Sequence, residues 1–140
     1  MTDHGLLGLE WRTLQQNHEQ YEKNVLLIKL TCLVLVFAGL AMQVCPGWLA
    51  IAVVLCWLQE GIFKTYQSRL TDRLLRVESL LRQPEPAPGA MQFHSEWTAS
   101  RQGGLGLVAA YAASACRPTV AFPYLPILCA GGVAKLLSWL

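Results

Sequence analysis

The sequence predicts an all-α integral membrane protein: a helical bundle with an N-terminal transmembrane hairpin, cytoplasmic helical extensions on both legs, and one or two C-terminal membrane segments. Three observations predict it. Two apolar stretches between Val25 and Phe63 are joined by the uncharged tetrapeptide Cys45-Pro46-Gly47-Trp48. Of 140 residues, 54% are hydrophobic and only 14% charged, against about 25% charged in an ordinary soluble domain. Stripes of apolar residues at steps of three and four flank both stretches. Lipid offers no partner to a backbone N–H or C=O, so such stretches must satisfy their own polar groups as helices.

The first helix is expected over residues 8–29 and onward into the first span. Trp11, Leu14, His18, Tyr21, Val25 and Ile28 form one stripe, and no Pro or Gly lies between Leu9 and Ala38. The first 24 residues are polar, with Asp3, Glu10, Glu19 and Glu22 among them. The apolar run starts too late and runs too long for a signal peptide, so Val25–Cys45 is expected to remain as an anchor. Leu30–Cys45 is uninterrupted and corresponds to ~24 Å of helix. Lys29 extends the usable span to Val25 by snorkelling. Pro46-Gly47 is expected to end this helix and permit the reversal.

The second span is expected from Trp48, a good interface residue, through Phe63. It takes in Gln59 and Glu60. Lys29 and Glu60 then lie at similar depth, each ~20–26 Å of helix from the turn. Past Phe63 the helix continues, with Phe63, Tyr66, Leu70, Leu74, Val77 and Leu81 on one stripe and Lys64, Arg69, Arg73, Arg76 and Arg82 on other faces. Two arrangements suit it: one strand of an antiparallel coiled coil with residues 8–24, or a basic helix lying on the membrane surface and drawn to anionic headgroups. The coiled coil is favoured, because the two stripes are alike and leave the membrane on the same side. The turn carries no charge, whereas the opposite ends carry Arg12, Lys23 and Lys29 on one leg and Lys64, Arg69, Arg73, Arg76 and Arg82 on the other. The positive-inside rule therefore places the extensions in the cytoplasm, with the N-terminus, and the anchor in a bacterial inner membrane.

Residues 83–102 read as a linker, with Pro84, Pro86 and Pro88 keeping the chain extended and Phe93 and Trp97 as candidate interface anchors. Three parts result: the hairpin with its amphipathic helices over 1–82, the linker over 83–102, and a Gly/Ala/Pro-rich membrane region over 103–140. In that last part Gly106, Ala110 and Ser114 are spaced for close helix approach. Arg117-Pro118 interrupts the region. Two readings are open: one span preceded by an interfacial or re-entrant helix, or a second hairpin turning at Arg117-Pro118. The second hairpin, giving four apolar segments, is slightly favoured.

Lys29 and Glu60 are the constellation of first interest, since charges within a membrane are costly and are usually paired or placed in polar cavities. Two side chains snorkelling independently is the first expectation, an intramolecular ion pair the second, and a pore or proton path the third. Gln43 and Gln59 are candidates for an interhelical polar contact, Gln43 more simply an interfacial residue. His18 sits on the first stripe as a polar packing residue, and His4 and His94 are remote from it. With no second ligand at metal spacing, no metal is expected. Cys32, Cys45, Cys56, Cys116 and Cys129 include no CxxC pair and read as small packing or lipid-facing residues. Gly104–Ala109 matches GxGxxA but follows no strand and lacks an acidic ribose partner, so small-residue packing explains it better. Ser95, Ser100, Ser114 and Ser138 have no His/Asp partner that would make one a nucleophile.

A net charge of +2 gives no case for nucleic acid. No catalytic or cofactor motif is expected, nor any small-molecule substrate. The functional expectation is a non-enzymatic membrane protein acting through helix–helix assembly, as an oligomer or as an accessory subunit, with the bilayer and itself or another membrane protein as partners. Its packing positions are Trp11, Leu14, Tyr21, Leu70, Leu74, Val77 and Leu81 in the extensions and Gly106, Ala110 and Ser114 in the C-terminal region. The alternatives are an immunity protein that docks a membrane-acting toxin against the C-terminal segments, and a small pore or transport component. The outline of long cytosolic helices flanking a hairpin is similar in shape, though in no motif, to two-span effectors of bacterial defence systems.

Overall fold

The computed structural model describes residues 3–83, 91–100 and 103–137. The linker prolines and Ser138 lie outside these residues, as do the side chains of His4, His94 and Ser100. All regular structure among the described residues is helical: α1 (Asp3–Ala41), α2 (Pro46–Leu81), α3 (Phe93–Ser100), α4 (Gly104–Ala115), α5 (Pro118–Ala121) and α6 (Tyr124–Leu136).

α1 and α2 form an antiparallel hairpin, of 39 and 36 residues, or ~55 Å each at 1.5 Å per residue. Each is long and apolar enough to cross a membrane. The reversal is built differently from the sequence expectation. α1 stops at Ala41, and Gln43 takes the left-handed conformation at φ 55°. Gln43 N–H donates to Leu40 O at 3.1 Å and Val44 N–H to Gly39 O at 2.8 Å. That pair of bonds is a Schellman motif, with Gln43 in the place where glycine is usual. Pro46 does not break a helix here; it opens α2 at its first position, where its missing N–H costs nothing. Gly47 has no positive φ. At the turn end a Cβ on Gly39 would overlap the side chain of Leu49, so this glycine serves the close approach of the two legs.

At the other end the two extensions pack on each other and not along a surface. Leu7, Leu14, Leu70 and Val77 form a buried cluster, against which Trp11, Tyr21, Leu74, Leu80, Leu81 and Phe93 pack. Two seam assignments need correction. Arg73 and Glu10 belong on the seam, at 4% and 6% exposure, because each follows a buried leucine by three residues. Tyr66 does not; it is exposed, carries Arg69 5.2 Å above its ring, and leaves Thr65 and Gln67 as the buried residues of that turn. Phe93 and Trp97, expected at an interface with lipid headgroups, instead meet protein: Phe93 joins the extension core, and Arg69 lies 5.6 Å over the Trp97 ring.

The expected second hairpin is absent. α4 and α6 pack on α2 more than on one another, and they run along it in one sense. Ala110 and Ser114 of α4 meet Thr65, Ala115 meets Trp57, Tyr124 meets Glu60, and Ile127 and Leu128 join the cluster around Val53. The C-terminal region is therefore one helical track, antiparallel to α2 and interrupted over 116–123. The physical reason is in the sequence: Pro118 and Pro123 both lack the N–H that an unbroken helix needs there, while the apolar surface on either side still packs against the same partner. Pro126 is tolerated because it falls in the first turn of α6.

Candidate functional site

The interruption between α4 and α6 creates the polar centre of the molecule. A helix end leaves carbonyl oxygens without intrahelical donors, and here the hairpin supplies them. Trp57 Nε1 of α2 donates to Ala115 O at 3.0 Å. Lys29 Nζ of α1 donates to Thr119 O at 2.6 Å. The same ammonium lies 3.2 Å from Glu60 Oε1. It is not aligned for a hydrogen bond to that oxygen, so Oε1 keeps an open acceptor position. Glu60 Oε2 accepts from Tyr124 O–H at 2.7 Å.

Lys29 and Glu60 are thus brought together, on facing turns of the two legs. Glu60 is fully buried and Lys29 is 22% exposed. The pair has a third and a fourth member, Tyr124 and the Thr119 carbonyl. Burial makes the arrangement interdependent: a carboxylate out of water is tolerable only with a cation and hydrogen bonds at hand. Beneath it Tyr124 stacks on Trp57, with ring centroids 6.5 Å apart and planes 17° apart, and Cys32 and Val53 complete a closed apolar layer.

Above the centre, α2 and α4 meet through small groups. A Cβ on Gly61 would stand 3.1 Å from Ala115 Cβ and 3.4 Å from Tyr111 O. Thr65 Oγ1 lies 2.8 Å from Ser114 Oγ. Ala110 and Ser114 are therefore on the α2-facing side, and Gly106, four residues earlier, is half-buried. Gln67 continues the polar seam: it accepts from Lys64 Nζ at 2.8 Å, donates to Glu22 Oε1 at 3.3 Å and sits 3.2 Å from His18 Nε2. Gln43 serves the turn, and Gln59 is exposed. Cys32 is buried and Cys56 half-buried, while Cys45, Cys116 and Cys129 are exposed; all five are free thiols.

A second buried pair lies in the extensions. Arg73 directs Nε and Nη2 to Glu10 Oε1, each at 2.8 Å, and Glu10 Oε2 accepts from Met91 N–H at 2.7 Å. Trp11 Nε1 donates to Glu78 Oε1 at 3.1 Å, and Tyr21 and Phe63 pack with centroids 5.7 Å apart.

Sequence reasoning missed Glu10, Arg73, Trp57, Gly61, Thr65 and Tyr124. The first two were findable, since helical spacing from Leu7 and Leu70 lands on them. Tyr124 carries no comparable signal, because its role depends on where the interrupted track meets α2. No protein-family model matches the chain, and no curated protein or solved structure does either.

Proposed function

We propose that this chain is a small, non-enzymatic integral membrane protein that works through helix–helix assembly, with itself or as an accessory subunit of a membrane complex. One observation carries the reading: the apolar part of the hairpin is turned inside out. Leu27, Val34, Leu35, Phe37, Leu55 and Leu58 are largely exposed while Glu60 is wholly buried. Only 17% of the most apolar window of each long helix is buried, where a core helix of a soluble protein would be mostly covered. Water disfavours an apolar surface of this extent; hydrocarbon does not, and it requires buried polar groups to be met internally, as Glu60 is by Lys29 and Tyr124.

On this reading α1 and α2 cross the bilayer as the hairpin, and α4–α6 forms a third, interrupted crossing. Trp57 and Lys29 supply donors to two carbonyls at its interruption, Ala115 O and Thr119 O. The extensions, the second of them rich in arginine, lie in the cytoplasm of a bacterial cell, beneath the inner membrane. Outside the apolar zone the extensions form a rod of two helices backed by α3, a shape that meets partners along its length and does not enclose a substrate.

The test is fractionation followed by photo-crosslinking of the full chain in cells. The chain is expected in membranes after alkaline carbonate washing, with a reporter after Arg82 on the cytoplasmic side. A photoreactive residue at Leu35 or Leu75 is expected to give a discrete adduct, either a dimer or one membrane protein. Release by carbonate, a reporter on the far side, or no adduct at either position refutes the reading.

One observation favours a second reading, a small transport component: a buried charged pair beside an interrupted helix is the arrangement in which transporters hold ions. Ion flux into proteoliposomes that Lys29→Ala and Glu60→Ala both abolish supports it. Flux retained by both variants refutes it.

A further inference from the structure

Toward the turn α6 stands away from the hairpin and leaves an apolar groove. Its volume is about 660 Å³. Phe37 and Leu40 of α1, Leu49 of α2, and Ile127 and Gly131 of α6 are among its walls, and Lys135 is its one charged residue. The groove exists because α6 is small where it faces the hairpin: a Cβ on Gly131 would meet nothing within 4 Å.

The groove is blind. One helical turn deeper than its walls, α1 contributes Cys32, α2 Val53 and α6 Tyr124, all at most 1% exposed, and Val36, Ile127 and Leu128 pack down on them. This floor separates the groove from the Lys29–Glu60 centre. At the turn end Lys135 lines the groove together with Pro46 and Gly47. From floor to mouth the helices rise ~10 Å on α2 (Val53 to Pro46) and ~16 Å on α6 (Tyr124 to Lys135), no deeper than about one leaflet, which holds ~15 Å of hydrocarbon.

We propose that the groove binds an anionic phospholipid from the leaflet on the turn side, one acyl chain lying along α6 and the phosphate on Lys135 Nζ. The inference rests on the membrane reading above. Three features select this occupant. Walls without a polar side chain call for a hydrocarbon chain. A single lysine at the mouth calls for an anionic head. A floor no deeper than about one leaflet stops a transmembrane helix of a second copy, which would have to run on past it, but suits a lipid tail.

The full chain is reconstituted in nanodiscs containing equal amounts of phosphatidylglycerol and phosphatidylcholine with oleoyl chains, then released for native mass spectrometry. The wild-type chain is expected to retain one lipid, with phosphatidylglycerol preferred about fivefold, the preference one near-surface lysine supplies. Lys135→Gln is expected to keep a lipid and lose the preference. Gly131→Leu, whose side chain enters open space, is expected to retain neither lipid, and Lys23→Gln to behave as wild type. No retained lipid in the wild type, an unchanged preference in Lys135→Gln, unchanged retention in Gly131→Leu, or a dimer that Gly131→Leu dissociates overturns the inference. Release of the chain from membranes by carbonate removes the membrane reading itself. A chain that resists carbonate yet retains no phosphatidylglycerol overturns this inference alone.

Discussion

Glu10 and Glu60 occupy corresponding places in the two halves of the hairpin. Each is buried between α1 and α2, each faces a cation on the other leg with Oε1, and each gives Oε2 to the C-terminal part of the chain. The cations differ. Arg73 presents two nitrogens to Glu10, each at 2.8 Å, whereas Lys29 stands 3.2 Å from Glu60 and makes its short bond to Thr119 O. A guanidinium is a rigid fork suited to a carboxylate; an ammonium is a point charge that divides itself between acceptors. Glu10 therefore clamps two helices, and its Oε2 holds the Met91 N–H ahead of α3. Glu60 and Lys29 together hold an interrupted helix, the lysine meeting a freed carbonyl and the glutamate meeting Tyr124.

The comparison can be broken most severely at Glu60. Glu60→Ala leaves the Lys29 charge without its partner, and the loss from breaking a buried pair is about 3–5 kcal/mol. Thermal unfolding of the detergent-purified chain should fall accordingly, and hydrogen exchange should rise over 118–128 but not over 7–14. Adding Lys29→Met should recover part of the loss, because a buried pair removed whole costs less than one removed by half. No recovery would mean that Lys29 matters for Thr119 alone.

Arg73→Lys retains the charge but not the fork, and loss of a charge-assisted hydrogen bond predicts about 1.5–3 kcal/mol. Exchange should now rise near 7–14 and 70–77, the mirror of the Glu60 result. A variant as stable as wild type would show that charge alone, and not geometry, holds the extensions. Tyr124→Phe leaves Glu60 Oε2 without its donor and should cost about 1–3 kcal/mol, seen as faster exchange of α6. Smallest of the four is Trp11→Phe. It removes one half-buried bond to Glu78, so about 0.5–1.5 kcal/mol is expected, measurable as a slightly lower melting midpoint. Trp57→Phe, which orphans the Ala115 carbonyl, should exceed it.

Helix type and extent followed from local rules. The run from Leu9 to Ala38 without Pro or Gly became the single helix α1, and the stripe from Leu70 to Leu81 became the face that α1 covers. Local rules place the turn three residues late, because Pro46-Gly47 resembles a helix stop and in fact opens the next helix. Glutamine at a left-handed position is not foreseeable from composition. Arg117-Pro118 resembles a reversal for a similar reason: a proline states that a helical hydrogen bond is missing, not which way the chain proceeds afterwards.

By itself, then, the sequence determined what the backbone does over short range: which stretches are helical, which are apolar, and that Lys29 and Glu60 lie at similar distances from the turn. Periodicity and propensity act between residues three or four apart, and they can be read without knowing the neighbours. Only the tertiary structure decided that the two charges meet, that Tyr124 and Thr119 join them, and that Arg73 and Glu10 are buried together. Those outcomes depend on the rotation of each helix about its own axis and on the path of the chain after Arg117. Both are set by packing among residues up to 90 positions apart, where no local rule reaches.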